Sequence, residues 1–118
     1  MTDIRTLGPL QSIAIKNFAW VTITVMLIDI ETRVVIWTVH DVFLNDSTCW
    51  DLSTIDAAQE GNQYGFAIYP RGGDDTIQYN FTYMKNEATA WLHADGTTQD
   101  FKVSIETAAA LQQDEAAA

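Results

Sequence analysis

Four tryptophans (Trp20, Trp37, Trp50, Trp91) and four tyrosines (Tyr64, Tyr69, Tyr79, Tyr83) stand in a chain of 118 residues. An aromatic ring left in solvent beside amides and carboxylates has the chemistry of a sugar site. Its flat face covers an axial C–H patch, and the polar groups pair with hydroxyls. An apolar platform with a few placed polar groups is the general form of a ligand site. Core packing also consumes Trp and Tyr. The informative rings are therefore those opposite the apparent core rows. Trp20 opposes the row of Ala19 and Val21, and Trp91 and His93 oppose that of Ala90 and Leu92. Tyr69 abuts the turn Pro70-Arg71-Gly72-Gly73-Asp74-Asp75. The candidate ligand-binding set is Tyr69, Asp74, Asp75, Asn80, Trp91 and His93.

Other chemistry is thinly represented. His40 and His93 are the only histidines, and no Cys/His spacing suits zinc. Carboxylates cluster at Asp41, Asp46 and Asp51 (with Asn45), and again at Asp74 and Asp75. Calcium is the ion they would suit, but neither cluster has EF-hand spacing, and a solvated acidic loop accounts for both. No cofactor is expected. Cys49 lies between Thr48 and Trp50 in an apolar run with acidic neighbours, so an inert buried thiol is expected. The chain has no G-x-S-x-G elbow, Walker loop or G-x-G-x-x-G. Acidic pairs are so plentiful that choosing two for glycoside hydrolysis proves nothing. No enzyme activity is expected. Two N-x-[ST] sequons, at Asn45 and Asn80, read as coincidence without a leader.

Charge narrows the partners. Sixteen acidic against six basic residues give a net charge of −10. Such a field repels phosphate backbones and anionic headgroups, so nucleic acid is not an expected partner. Solubility is its plainest use. The N-terminus lacks a signal-peptide pattern, and Phe18 to Ile30 is too short and too polar to span a bilayer. The expected location is cytoplasmic, or outside the cell by a route without a classical leader.

The elements that must carry these residues read as strands. Period-2 alternation recurs along the chain. Ser12 to Lys16 is a short strand. Phe18 to Ile30 reads as one long strand with Ala19, Val21, Ile23, Val25 and Leu27 inward. Its other face is apolar at both ends, through Phe18 and Trp20, then Met26, Ile28 and Ile30. Ile77, Tyr79, Phe81 and Tyr83 alternate with Gln78, Asn80 and Thr82. Asp95-Gly96 signals a hairpin. The fold class expected is all-β: an antiparallel sandwich, jelly-roll or immunoglobulin-like, of seven to eight strands over residues 1–106. Residues 107–118 form a helical or disordered tail.

Three functions compete. The first is a non-catalytic carbohydrate-binding, lectin-like sandwich that acts as a homo-oligomer and gains avidity by self-association. The second follows from a resemblance: in being small, acidic, leaderless, Trp-rich and β-sandwiched, the chain is similar to the aegerolysins. That similarity implies a membrane-active or pore-forming protein with a zwitterionic or sterol/sphingolipid target, anchored by interfacial Trp and Tyr. The third is a self-assembling subunit of a filament or shell, suggested by apolar residues on both faces of one strand.

Overall fold

Alternation becomes geometry most plainly in the strand Thr76–Thr82, whose residues are in turn half-buried and buried throughout. A strand sends successive side chains to opposite faces, so Ile77, Tyr79 and Phe81 enter the core and Gln78 and Asn80 stay out. The computed structural model describes residues 2–73 and 76–106. The expected C-terminal helix or tail, and Asp74 and Asp75, lie outside them. Among the described residues nine strands form, rather than seven or eight: β1 (Thr2–Thr6), β2 (Ser12–Asn17), β3 (Ile23–Asp29), β4 (Val35–Val42), β5 (Ser47–Asp51), β6 (Gln63–Pro70), β7 (Thr76–Thr82), β8 (Thr89–Gly96) and β9 (Phe101–Ile105). A short 3-10 turn, Leu52–Thr54, follows β5.

The strands make two sheets, ordered β1-β7-β6-β3-β4 and β5-β2-β8-β9. Their inner faces share one core of Ile13, Ile15, Val25, Leu27, Tyr64, Phe66, Ile68, Leu92 and their neighbours. Trp50 of β5 meets Phe66 of β6 across the gap, with ring centroids 5.0 Å apart. The all-β, two-layer expectation stands, and the purely antiparallel one does not. β1 pairs parallel to β7, and β2 parallel to β8. The reason lies at one corner. After β1 the chain turns through Leu7-Gly8-Pro9 and changes sheet beside the β7–β8 connection. Leu10 N–H donates to Thr82 O, and Met84 N–H donates to Leu10 O. The N-terminal ribbon thus follows the β7–β8 ribbon from one sheet into the other.

The long strand expected from Phe18 to Ile30 is also corrected. β2 ends at Asn17 and β3 begins at Ile23. Asn17 is fully buried. Its Nδ2 donates to Val21 O (2.9 Å) and Val42 O (2.8 Å), and its Oδ1 accepts from Ala19 N–H (2.9 Å). Its backbone bonds Asn45 and Asp46. A side chain that satisfies backbone groups this way offers the chain a corner in place of a ladder.

At one open side of the sandwich, Arg5 Nη1 donates to Tyr79 OH (2.7 Å) and to Val103 O (2.7 Å), tying the sheets together. β4 is an edge strand, with Val35 and Trp37 exposed and the register to β3 broken twice. Cys49 is a further correction: it is exposed, because Trp50 takes the inward position of β5. Partial burial still pushes its thiol pKa up, and the Asp51 charge adds to that. No helix among the described residues is long and apolar enough to cross a membrane.

Candidate ligand-binding groove

The outer face of the five-stranded sheet is built from the polar halves of its alternating strands. Register places Ile4, Gln78, Ala67 and Met26 in one row across β1, β7, β6 and β3. Thr6, Asn80, Gly65 and Ile28 form the next row. In both rows β6 contributes its smallest residues, Ala67 and Gly65, so the middle of the sheet is low and its flanks are high. The result is a groove of about 410 Å³ lined by Ile4, Ile28, Ile30, Arg33, Gln78 and Asn80. That is within the usual size range for a small-ligand site.

Gly65 is buried beneath the side chains that line the groove and has a steric reason to be glycine. A Cβ there would lie 2.6 Å from Gln78 Nε2, 2.9 Å from Asn80 Oδ1 and 2.9 Å from Ile30 Cδ1. Over this glycine Gln78 Nε2 donates to Asn80 Oδ1 (2.8 Å). One hydrogen bond fixes the two amides relative to each other. It leaves Gln78 Oε1, a second Gln78 N–H and the Asn80 Nδ2 group without a side-chain partner among the described residues. These are one acceptor and three donor hydrogens on one patch. A smaller recess of about 120 Å³, lined by Thr6, Leu7, Gln63, Asn80, Phe81 and Thr82, adjoins at Asn80. Asn80 is common to both.

The described members of the expected site, Tyr69, Asn80, Trp91 and His93, lie on two different sheets. Asn80 lines the groove. Tyr69 is on the same outer face of β6, but four residues beyond Gly65, about 13 Å along the strand. Trp91 and His93 are on β8, in the other sheet. Both point to that sheet's outer side, since Ala90, Leu92 and Ala94 fill the core. There Lys16 Nζ stands 5.2 Å from the Trp91 ring centroid, a cation–π contact that occupies one face of the platform. His93 meets the Phe18 ring edge-on at 5.3 Å, and its Nε2 is buried without a hydrogen-bond partner. Trp20, by contrast, is 79% exposed at the β2–β3 corner.

Residue reading missed Ile4, Arg33, Gln78 and Gly65 as site residues. Gly65 carried a signal, because a glycine inside a strand marks a bulge or a close approach. Ile28 and Ile30 were visible as apolar residues on an outward face. Among the described residues, no group of three His, Cys, Asp or Glu side chains is arranged to hold a metal ion. Compared with protein-family models, curated proteins and solved structures, the chain matches none.

Proposed function

We propose that the protein is a non-catalytic carbohydrate-binding protein whose ligand occupies the groove on the five-stranded sheet. The observation that carries the reading is the hydrogen-bonded amide pair Gln78–Asn80 over a buried glycine between isoleucine walls. Vicinal hydroxyls present alternating donors and acceptors at the spacing of neighbouring amide groups. Isoleucine side chains pack against the C–H surface of a pyranose ring. Among the described residues the groove's lining is apolar, amide and guanidinium, groups that suit holding a sugar. The finer fold assignment, jelly-roll or immunoglobulin-like, belongs to the same proposal. Jelly rolls host lectin domains, an analogy of scaffold alone.

Gly65→Ala tests it. The atoms a new Cβ would meet are ends of movable side chains, so the amide pair should swing aside while the sheet survives. Glycan-array binding should be lost in Gly65→Ala and in Asn80→Ala, with the melting temperature of Gly65→Ala within a few degrees of the parent. An array without hits on the folded parent protein, or hits that both variants retain, would sink the reading.

A second reading has its own observation. Phe18, Trp20, Phe43 and Leu44 are all exposed on the β2–β3 and β4–β5 corners, which Asn17 joins. Exposed aromatic and aliphatic tips on adjoining loops suit the interfacial zone of a zwitterionic membrane. Trp20→Ala should then reduce co-sedimentation with phosphatidylcholine–sphingomyelin vesicles while changing stability by less than about 0.5 kcal/mol. Equal sedimentation of parent and variant would remove it. Acrylamide quenching separates the two readings, because vesicles would shield Trp20 and a sugar in the groove would not.

A further inference from the structure

The chain has three arginines, at positions 5, 33 and 71. In so acidic a protein each would be expected to find a carboxylate. Arg5 pairs with Asp3 at 2.9 Å, and Arg71 pairs with Asp41. Among the described residues Arg33 has no side-chain hydrogen bond or ion pair, and it is the one charged residue lining the groove. Two acids share its turn: among the described residues Glu31 makes no ion pair with it, and Asp29 is turned to the backbone. Asp29 Oδ1 accepts from Glu31 N–H (3.0 Å) and Thr32 N–H (3.2 Å). Arg33 also sits at φ 63°, a left-handed conformation unfavourable for an L-residue with a long side chain. Glycine or asparagine would fill that backbone position more cheaply, and neither would bring a guanidinium to the rim.

We propose that the groove selects an acidic saccharide, with Arg33 taking the sugar carboxylate and the Gln78–Asn80 pair taking ring hydroxyls. This rests on the carbohydrate reading and narrows it. The guanidinium fork matches a carboxylate with two parallel N–H···O bonds, and such charge-assisted bonds are the strong ones. The net charge of −10 would repel an anion at long range, but that field is screened beyond about 8 Å at physiological ionic strength. The cation at the groove then decides the local interaction. A hydroxyl-rich ligand without a charge would leave Arg33 unused. A simple carboxylate without hydroxyls would leave the amide pair unused. A uronic or sialic acid uses both.

The test compares each acid with its neutral counterpart by calorimetry. Tri-galacturonate is set against its methyl ester, and 3′-sialyllactose against lactose. At least one acid should bind about tenfold or more tighter than its partner. That ratio should fall as salt rises and collapse towards one in Arg33→Gln. Arg71→Gln, which removes a surface arginine outside the groove, should leave it intact. Equal affinities for acid and neutral forms, with binding still lost in Gly65→Ala, would overturn the inference and keep the carbohydrate reading. A ratio that Arg71→Gln lowers as much as Arg33→Gln would also overturn it. No binding of any of the four saccharides to the folded protein would remove the inference and the reading together.

Discussion

Asn17→Leu is expected to cost about 3–5 kcal/mol of folding stability, a large part of what holds a domain of this size together. Leucine keeps asparagine's branching but carries two bulkier methyl groups, so some overpacking adds to the loss. The loss falls on three backbone groups that lose their partner: Ala19 N–H and Val42 O, which are buried, and Val21 O, which is partly buried. A buried polar group left unsatisfied costs about 1–3 kcal/mol, and a typical domain holds only about 5–15 in total. In urea the midpoint should fall by about 2 M, given a slope of roughly 1–3 kcal/mol/M. Asn17→Asp sharpens the test. Its carboxylate would face two carbonyl oxygens, so its folded pKa is raised above the unfolded value. The variant should therefore be most stable while the carboxyl is protonated, and should lose stability as pH rises through that folded pKa. A loss below about 1 kcal/mol in Asn17→Leu would mean that the corner holds itself.

Gly96→Ala comes second, at about 2–3 kcal/mol. Gly96 ends β8 at φ 96°, and a Cβ there would overlap Asp100 O and lie 3.0 Å from Asp100 C. Those are backbone atoms of the β8–β9 turn and cannot step aside singly, so the turn must open. Gly72→Ala supplies the control. Gly72 also has a positive φ, 79°, but its nearest neighbour is Thr98 Cγ2 at 4.0 Å. The difference between the two variants isolates the clash from the conformational cost. Trp20 N–H donates to Gly96 O at 2.8 Å, so amide exchange at Trp20 should speed up in Gly96→Ala and not in Gly72→Ala. Equal losses in the two variants would show that the turn accommodates the methyl group.

These positions also mark what the sequence made legible. The β7 row of Ile77, Tyr79 and Phe81 and the Asp95-Gly96 turn were plain, because alternation and turn chemistry are local. Asn17 was not. The alternation from Ala19 to Leu27 reads as a strand resuming at Phe18, and it is Val42, far along the chain, that completes the bonds holding the corner as far as Ile23. β1 was missed for a similar reason. Thr2–Thr6 carries Asp3 and Arg5 on the alternate positions, which reads as polar chain until Tyr79 and Val103 are there to receive the guanidinium. The groove draws Ile4, Ile28, Ile30 and Gln78 from three strands and the β3 end. No spacing rule joins them, and the described members of the expected set fell on two sheets because each was judged by its own strand alone.

The N-terminal ribbon that runs beside β7 and β8 also sets an order of events. Thr2 pairs with Thr76, and Ser12 with Thr89. β1 and β2 therefore wait for β7 and β8, far later in the chain, before their parallel ladders can close. Pairings so distant along the chain require loop closure before contacts reward it, which places refolding in the millisecond-to-second range typical of such topologies. Until then β2, with Ile13 and Ile15, has only β5 to shelter beside. During synthesis that half-built sheet keeps an unpaired edge on β2 until β8 arrives.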